Sequence, residues 1–130
     1  MIEHVLLVAT GGAIGSVLRF LTSLAAARWL GVEFPYGTLF VNLVGAFLIG
    51  LVQELATEAL VVPDRMRLFI TTGIMGGLTT YSTFSYETVR LLEAQAWPEA
   101  GLNVLVTTAT CLVLCFLGIV AGRALLGLRG

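Results

Sequence analysis

Lysine is absent from this chain of 130 residues, and its seven basic side chains are all arginine. Against eight acids they leave a formal net charge of −1. No basic field is therefore present to neutralise phosphates, which argues against nucleic acid as a partner. Charge of either sign is scarce at 12%, against roughly a quarter in soluble domains. The one histidine is His4, and no nucleophile and base are grouped, which argues against an enzyme. Two cysteines, Cys111 and Cys115, lie deep in one apolar run with nothing near to complete a metal-ligand set.

What is present is apolar. Hydrophobic residues make up 58% of the chain, and the mean hydropathy is +0.98. A soluble core of this length cannot absorb that much apolar surface, because small domains leave a large fraction of their surface in water. The composition predicts an integral membrane protein, one unit over residues 1–130 without a linker or second domain. Charges divide it into four blocks: residues 5–27 hold only Arg19, and residues 34–53, 68–86 and 100–122 hold none. About 20 helical residues cross the hydrocarbon core, and these runs lack the alternation of barrel strands. The expected fold is all-α with four transmembrane helices, over about 5–27, 34–56, 68–90 and 100–123, and both termini on one side. An Ala25-x-Ala27 pair has the spacing of a signal-peptidase site, but Arg19 within the run and the spans that follow favour an uncleaved first helix. The second loop and the C-terminus carry Arg65, Arg67, Arg123 and Arg129, while the opposite side carries Arg28 and Arg90. That bias nominally places the termini in the cytoplasm and is small enough to permit insertion both ways round.

Small residues recur four apart at Gly11 and Gly15, Gly73 and Gly77, and Gly118 and Gly122, with Ala46 and Gly50 a weaker case. Such pairs let helix backbones approach closely in lipid. Most are expected to pack within one subunit and some to meet a second, since four helices alone rarely enclose a pore.

Polar side chains inside apolar spans are the informative ones. The third span carries hydroxyls at Thr71, Thr72, Thr79, Thr80, Tyr81, Ser82, Thr83 and Ser85, preceded by Gly73, Gly76 and Gly77. Glycine and β-branched pairs weaken a helix, so a break over Gly73–Thr80 at mid-membrane is expected. Freed carbonyls of a discontinuous helix can coordinate a cation. The competing reading is a continuous helix whose hydroxyls bond back to its own backbone. In the second span, Asn42 lies on one face with Thr38; it suits a bond to a neighbouring helix and equally the binding of a small anion. Thr107, Cys111 and Cys115 form a stripe on the fourth span, and Tyr81 and Phe84 share a face after the break. Ring edges are positive and can stabilise an anion, although such a pair also serves packing. Arg19 in mid-span is costly unless it snorkels or lines a wet vestibule. Glu87 is either an interfacial charge or faces a water-filled mouth.

Gly11-Gly12-Ala13-Ile14-Gly15 leading to Arg19, Gly37-Thr38-Leu39-Phe40-Val41-Asn42 with Gly45, and Gly76-Gly77-Leu78-Thr79-Thr80-Tyr81-Ser82-Thr83-Phe84-Ser85 together resemble the Fluc (CrcB-type) fluoride channels of microbes, in order and over the whole chain. The resemblance implies a dual-topology homodimer of antiparallel four-helix subunits in the plasma membrane, with two fluoride pores and passive fluoride export. It further implies a structural Na+ at the dimer centre, held by the backbone carbonyls of Gly76 and Thr79 from both subunits. By the same resemblance the pore residues are Asn42, Tyr81, Phe84, Thr38, Ser82, Thr107 and Cys111, with Arg19 and Glu87 at family positions near the vestibules. Two positions depart from the family pattern: Tyr81 stands where Phe is usual, and Cys111 where Ser is common. The main alternative is a small four-span proton-coupled multidrug antiporter. That chemistry needs a membrane-embedded carboxylate on the first helix, where this chain has Glu3 only at the start and Arg19 within. A non-transporting assembly subunit leaves the polar stretch 79–85 unexplained.

Overall fold

Proline and glycine set where the helices stop. The computed structural model describes residues 1–58 and 61–129, the side chain of Arg129 excepted. Helix α1, Ile2–Leu30, ends at Gly31, whose φ of 89° disfavours any side chain and whose N–H closes on the Ala27 carbonyl at 3.2 Å. Pro35 lacks an N–H and so suits the start of α2, Tyr36–Leu55. Pro63 likewise precedes α3, Asp64–Leu68, which continues into a π-helical turn, Phe69–Met75, and then α4, Gly76–Leu78. At Thr79 (φ −85°, ψ 152°) and Thr80 (φ −154°, ψ 121°) the backbone is extended. Helix resumes as α5, Tyr81–Glu93, turns through Gln95 (φ 60°), and α6 runs Trp97–Arg129 with Pro98 in its first turn.

All described elements are therefore helical, and they form four helical crossings of the fold, the third in two pieces. Ile2–Leu30, Tyr36–Leu55 and Trp97–Leu128 are each long and apolar enough to cross a membrane. Neither piece of the third, Asp64–Leu78 or Tyr81–Glu93, reaches that length alone.

The break is narrower than the glycines suggest. Gly73, Gly76 and Gly77 stay helical, and only Thr79 and Thr80 leave the helix. Gly73 and Gly77 serve close packing instead. A Cβ on Gly11 of α1 would stand 2.6 Å from the Phe69 carbonyl oxygen and 2.9 Å from the Cα of Gly73, and one on Gly77 would stand 2.5 Å from the Gly12 oxygen. Backbone thus lies against backbone along the seam between α1 and the third segment. A second seam joins α2 to α6, where Gly50 meets the Cys115 backbone and Gly118 meets that of Phe47. The glycines of the three four-residue pairs all lie against other elements of this chain, while Ala46 borders an open groove. Between the seams, Val41 of α2 packs with Met75 and Leu78 in the buried core.

Gly11→Val forces side-chain atoms into the Phe69 and Gly73 backbone, which cannot yield without moving the third segment. Overpacking of this kind costs roughly 1–3 kcal/mol or more. The expected result is loss of a monodisperse peak in size-exclusion chromatography. Gly101→Ala, whose new Cβ meets nothing within 4 Å, should leave the peak unchanged.

Candidate functional site

Ending a helix strands its last carbonyls, which lose the amide donors four residues on. At the break these groups are reassigned one by one. The Thr79 N–H still reaches the Met75 carbonyl at 2.9 Å, and the Thr79 hydroxyl donates to the same oxygen at 2.8 Å. The next amide, Thr80 N–H, would meet the Gly76 carbonyl in a continuous helix. Instead it donates to Oδ1 of Asn42 on α2 at 3.0 Å, while Nδ2 of Asn42 donates to the Thr80 carbonyl at 3.3 Å. One side-chain amide therefore exchanges both bonds with one residue, as paired residues of adjacent strands do. Gly45, one turn on from Asn42, makes this approach feasible, since a Cβ there would overlap the Thr79 methyl.

Helix α5 then begins under its own cap. The Thr80 hydroxyl accepts the Thr83 N–H at 3.2 Å, an arrangement typically worth about 1 kcal/mol. Half-buried Arg19 on α1 donates from Nε to the Gly77 carbonyl at 3.2 Å. A cation at a helix C-terminal end is favourable by about 0.3–1 kcal/mol, more when partly buried. Among the described residues, no side-chain donor reaches the carbonyls of Gly76, Leu78 or Thr79, in contrast to those of Gly77 and Thr80. No group of three or more His, Cys, Asp or Glu that could hold a metal occurs among those residues. Carbonyls are neutral, hard oxygen donors of the kind that suits a hard cation, so the donor chemistry of Gly76 and Thr79 fits Na+.

Beside the break opens a groove of about 450 Å³, bordered by Asn42, Thr79, Tyr81, Phe84, Thr107 and Cys111 together with Gly76. The Tyr81 and Phe84 rings lie 5.5 Å apart at 60°, near the edge-to-face arrangement aromatic pairs favour. They differ in cover: Phe84 is 8% exposed and Tyr81 80%. The remaining predicted residues lie apart from this groove. Thr38 and Glu87 border a smaller pocket of about 140 Å³ at the α1–α2 turn, where Oε1 of Glu87 is buried without a hydrogen-bond partner. Arg19 and Ser82 border neither space; the Ser82 hydroxyl lies 3.2 Å from that of Thr80. Several other hydroxyls do bond back to their own helix, among them Thr71 to the Arg67 carbonyl and Ser85 to that of Tyr81. A break and back-bonded hydroxyls, weighed as alternatives from sequence, coexist.

Comparison with known proteins identifies the family. Residues 6–119 match the family model described as CrcB-like protein, Camphor Resistance (CrcB). The chain belongs to the CrcB family. It is 48% identical over 123 residues to a protein of Geobacter sp. (strain M21) named fluoride-specific ion channel FluC, covering 95% of this chain and 99% of that one. Proteins bearing the same name from Magnetococcus marinus and Agrobacterium fabrum are 46% and 45% identical, over 89% and 94% of this chain and 94% and 98% of theirs.

One polar centre in this CrcB-family chain escaped the sequence reading. Asn103 on α6 is 1% exposed. Its Nδ2 donates to the Thr88 hydroxyl at 2.9 Å, Thr88 donates to the Phe84 carbonyl at 2.8 Å, and the Thr107 hydroxyl donates to Oδ1 of Asn103 at 3.3 Å. The signal was present, because Asn103, Thr107 and Cys111 repeat at four-residue spacing and extend the stripe already recognised by one turn. Through this network the ring-bearing helix α5 is tied to α6. Asn103→Leu strands the Thr107 hydroxyl and removes the tie to Thr88. A cost of roughly 1–3 kcal/mol is expected, read as a lower thermal midpoint of the purified protein in detergent.

Proposed function

We propose that this CrcB-family chain is a fluoride-selective channel that lets fluoride leave the cytoplasm passively, through a multi-pass protein of the plasma membrane. It is a channel subunit and not an enzyme. The observation that carries the proposal is the groove in which Asn42, Tyr81 and Phe84 meet beside the broken helix. The names of its close relatives support the same reading.

Fluoride is small and strongly hydrated, so a path for it must replace water with hydrogen-bond donors without trapping the ion. Asn42 keeps one Nδ2 hydrogen after bonding the Thr80 carbonyl and offers it without adding charge. The Tyr81 and Phe84 rings supply positive edges, and Thr107 and Cys111 continue the polar side of the groove along α6. In this reading Thr38 and Ser82 extend the track beyond the groove, and Arg19 and Glu87 stand toward its mouths. In this reading, hydrogen-bond donors and ring edges held at close range favour small, strongly hydrated fluoride over the larger halides.

The working unit in this proposal is an antiparallel, dual-topology homodimer. The weak arginine bias supports insertion in both orientations. The groove of one protomer is open on one side, and Tyr81 beside it is largely uncovered, as expected if a second copy completes the wall. At the dimer centre, Gly76 and Thr79 of each copy would hold Na+ through their carbonyls. Bound there, the ion would supply fixed positive charge to offset the carbonyl dipoles. The antiporter alternative is weakened because Glu3, the acid of α1, lies at the helix start in an exposed ion pair with Arg65.

Protein reconstituted in liposomes loaded with fluoride or chloride should release fluoride alone, electrogenically and without a proton gradient. Asn42→Ala should slow that efflux at least tenfold. Proton-coupled movement of organic cations, or equal release of both halides, would contradict the proposal.

A further inference from the structure

We infer that Asn42 is the splint of the broken helix: by pairing with the Thr80 peptide, it keeps the Thr80 N–H away from the Gly76 carbonyl and so leaves that carbonyl open. This makes Asn42 a positioning residue for the cation-binding oxygens, a role separate from offering a hydrogen to an anion in the groove. The consequence at Gly76 rests on the proposed cation site.

The one local device at the break is the Thr80 hydroxyl, which caps the Thr83 N–H and leaves the Thr80 main chain to find its own partners. Residues 79 and 80 are both threonine, with neither proline to remove a donor nor glycine to reach a left-handed turn. Their dihedrals are ordinary extended values. β-branching eases the extended form and does not forbid a helix, as Thr71 and Thr72 show by staying helical in the same segment. The extended state must then be held by what it bonds to. Thr80 bonds to one side chain through both polar atoms of its main chain, at 3.0 and 3.3 Å, and that side chain is Asn42. Without it, the Thr80 N–H sits half-buried with no acceptor. Returning Thr80 to the helix, with its N–H on the Gly76 oxygen, then becomes the nearest way to satisfy it.

The neighbouring groups divide the work. Arg19 takes the Gly77 carbonyl and the cap takes the Thr83 amide, so neither competes for Gly76. Asn42 thus decides whether the Thr80 N–H closes on the Gly76 carbonyl. The pairing also fixes the side-chain amide itself: Oδ1 is held by an N–H, so the nitrogen, with its remaining hydrogen, is the end left for the groove.

Full-length protein in detergent is tested by thermal midpoint against NaCl, with N-methylglucamine chloride holding ionic strength constant. The wild type should show a saturable sodium-dependent rise. Asn42→Asp keeps the acceptor for Thr80 N–H and loses the donor, so its half-saturating sodium should stay within about threefold while fluoride efflux falls at least tenfold. Asn42→Leu loses both bonds, and its half-saturating sodium should rise more than tenfold. Gly101→Ala, where the new Cβ meets nothing within 4 Å, should keep the wild-type sodium response. An Asn42→Leu protein with unchanged sodium response and impaired flux overturns the splint and leaves the channel reading standing. Absence of fluoride flux in the wild type sinks the channel reading instead. If Asn42→Leu does not fold, hydrogen exchange in the wild type decides: the Thr80 amide should be protected relative to the uncapped Tyr81 amide, and an unprotected Thr80 overturns the splint.

Discussion

A main-chain amide or carbonyl taken out of water must find a partner, and within a bilayer an unsatisfied one costs several kcal/mol. The interruption at Thr79 and Thr80 places several such groups inside the fold, and much of the surrounding structure answers to them. Asn42 reaches from α2 to pair with the Thr80 peptide, Arg19 reaches from α1 to the Gly77 carbonyl, and the Thr80 hydroxyl caps the next helix. Helices α1 and α2 thereby converge on the end of the broken helix, at Gly77 and at Thr80. The carbonyls they leave free, and the groove beside them, are the features from which the function is inferred.

That convergence depends on packing as much as on hydrogen bonds. Arg19 and Asn42 reach the break because the helices carrying them lie unusually close to it. Gly11, Gly15 and Gly77 bring α1 onto the third segment, and Gly45 admits the Thr79 methyl against α2. The glycines therefore act on function at one remove: they set interhelical distance, distance sets which side chains reach the peptide groups, and those contacts set which oxygens stay open. The Asn103 network plays the matching part on the other wall, where it orders α5 and with it Phe84 against α6.

Much of this was legible in the sequence because the bilayer imposes simple demands on length and polarity. Four apolar runs, an amide at Asn42 and a hydroxyl-rich stretch after Gly76-Gly77 stand out against a uniform apolar background. The extent of the break did not. Glycine lowers helix propensity and also permits close packing, and composition cannot separate the two uses; here Gly73 and Gly77 remain helical because α1 leans on them. Arg19 reads as a vestibular charge until its distance to the Gly77 carbonyl is known, since a sequence separation of 58 hides the contact. Asn42 reads equally as a partner for a neighbouring helix or a donor to an anion, because the sequence separation of 38 hides the Thr80 peptide it pairs with. Thr38 and Glu87 share a family pattern with the groove residues yet border a different pocket, because helix rotation and tilt, which sequence does not specify, decide which space a side chain meets.

The partition of peptide groups at the break links the family resemblance, the proposed cation and the anion route to one local geometry. Solid-state NMR of the full-length protein in lipid bilayers reads that geometry most directly, through backbone chemical shifts at 76–83 and the through-space correlation between the Asn42 side-chain amide and the Thr80 peptide. Extended shifts confined to Thr79 and Thr80, with that correlation present, are the expected result. Helical shifts at both threonines, with the Asn42 amide remote from Thr80, would contradict it.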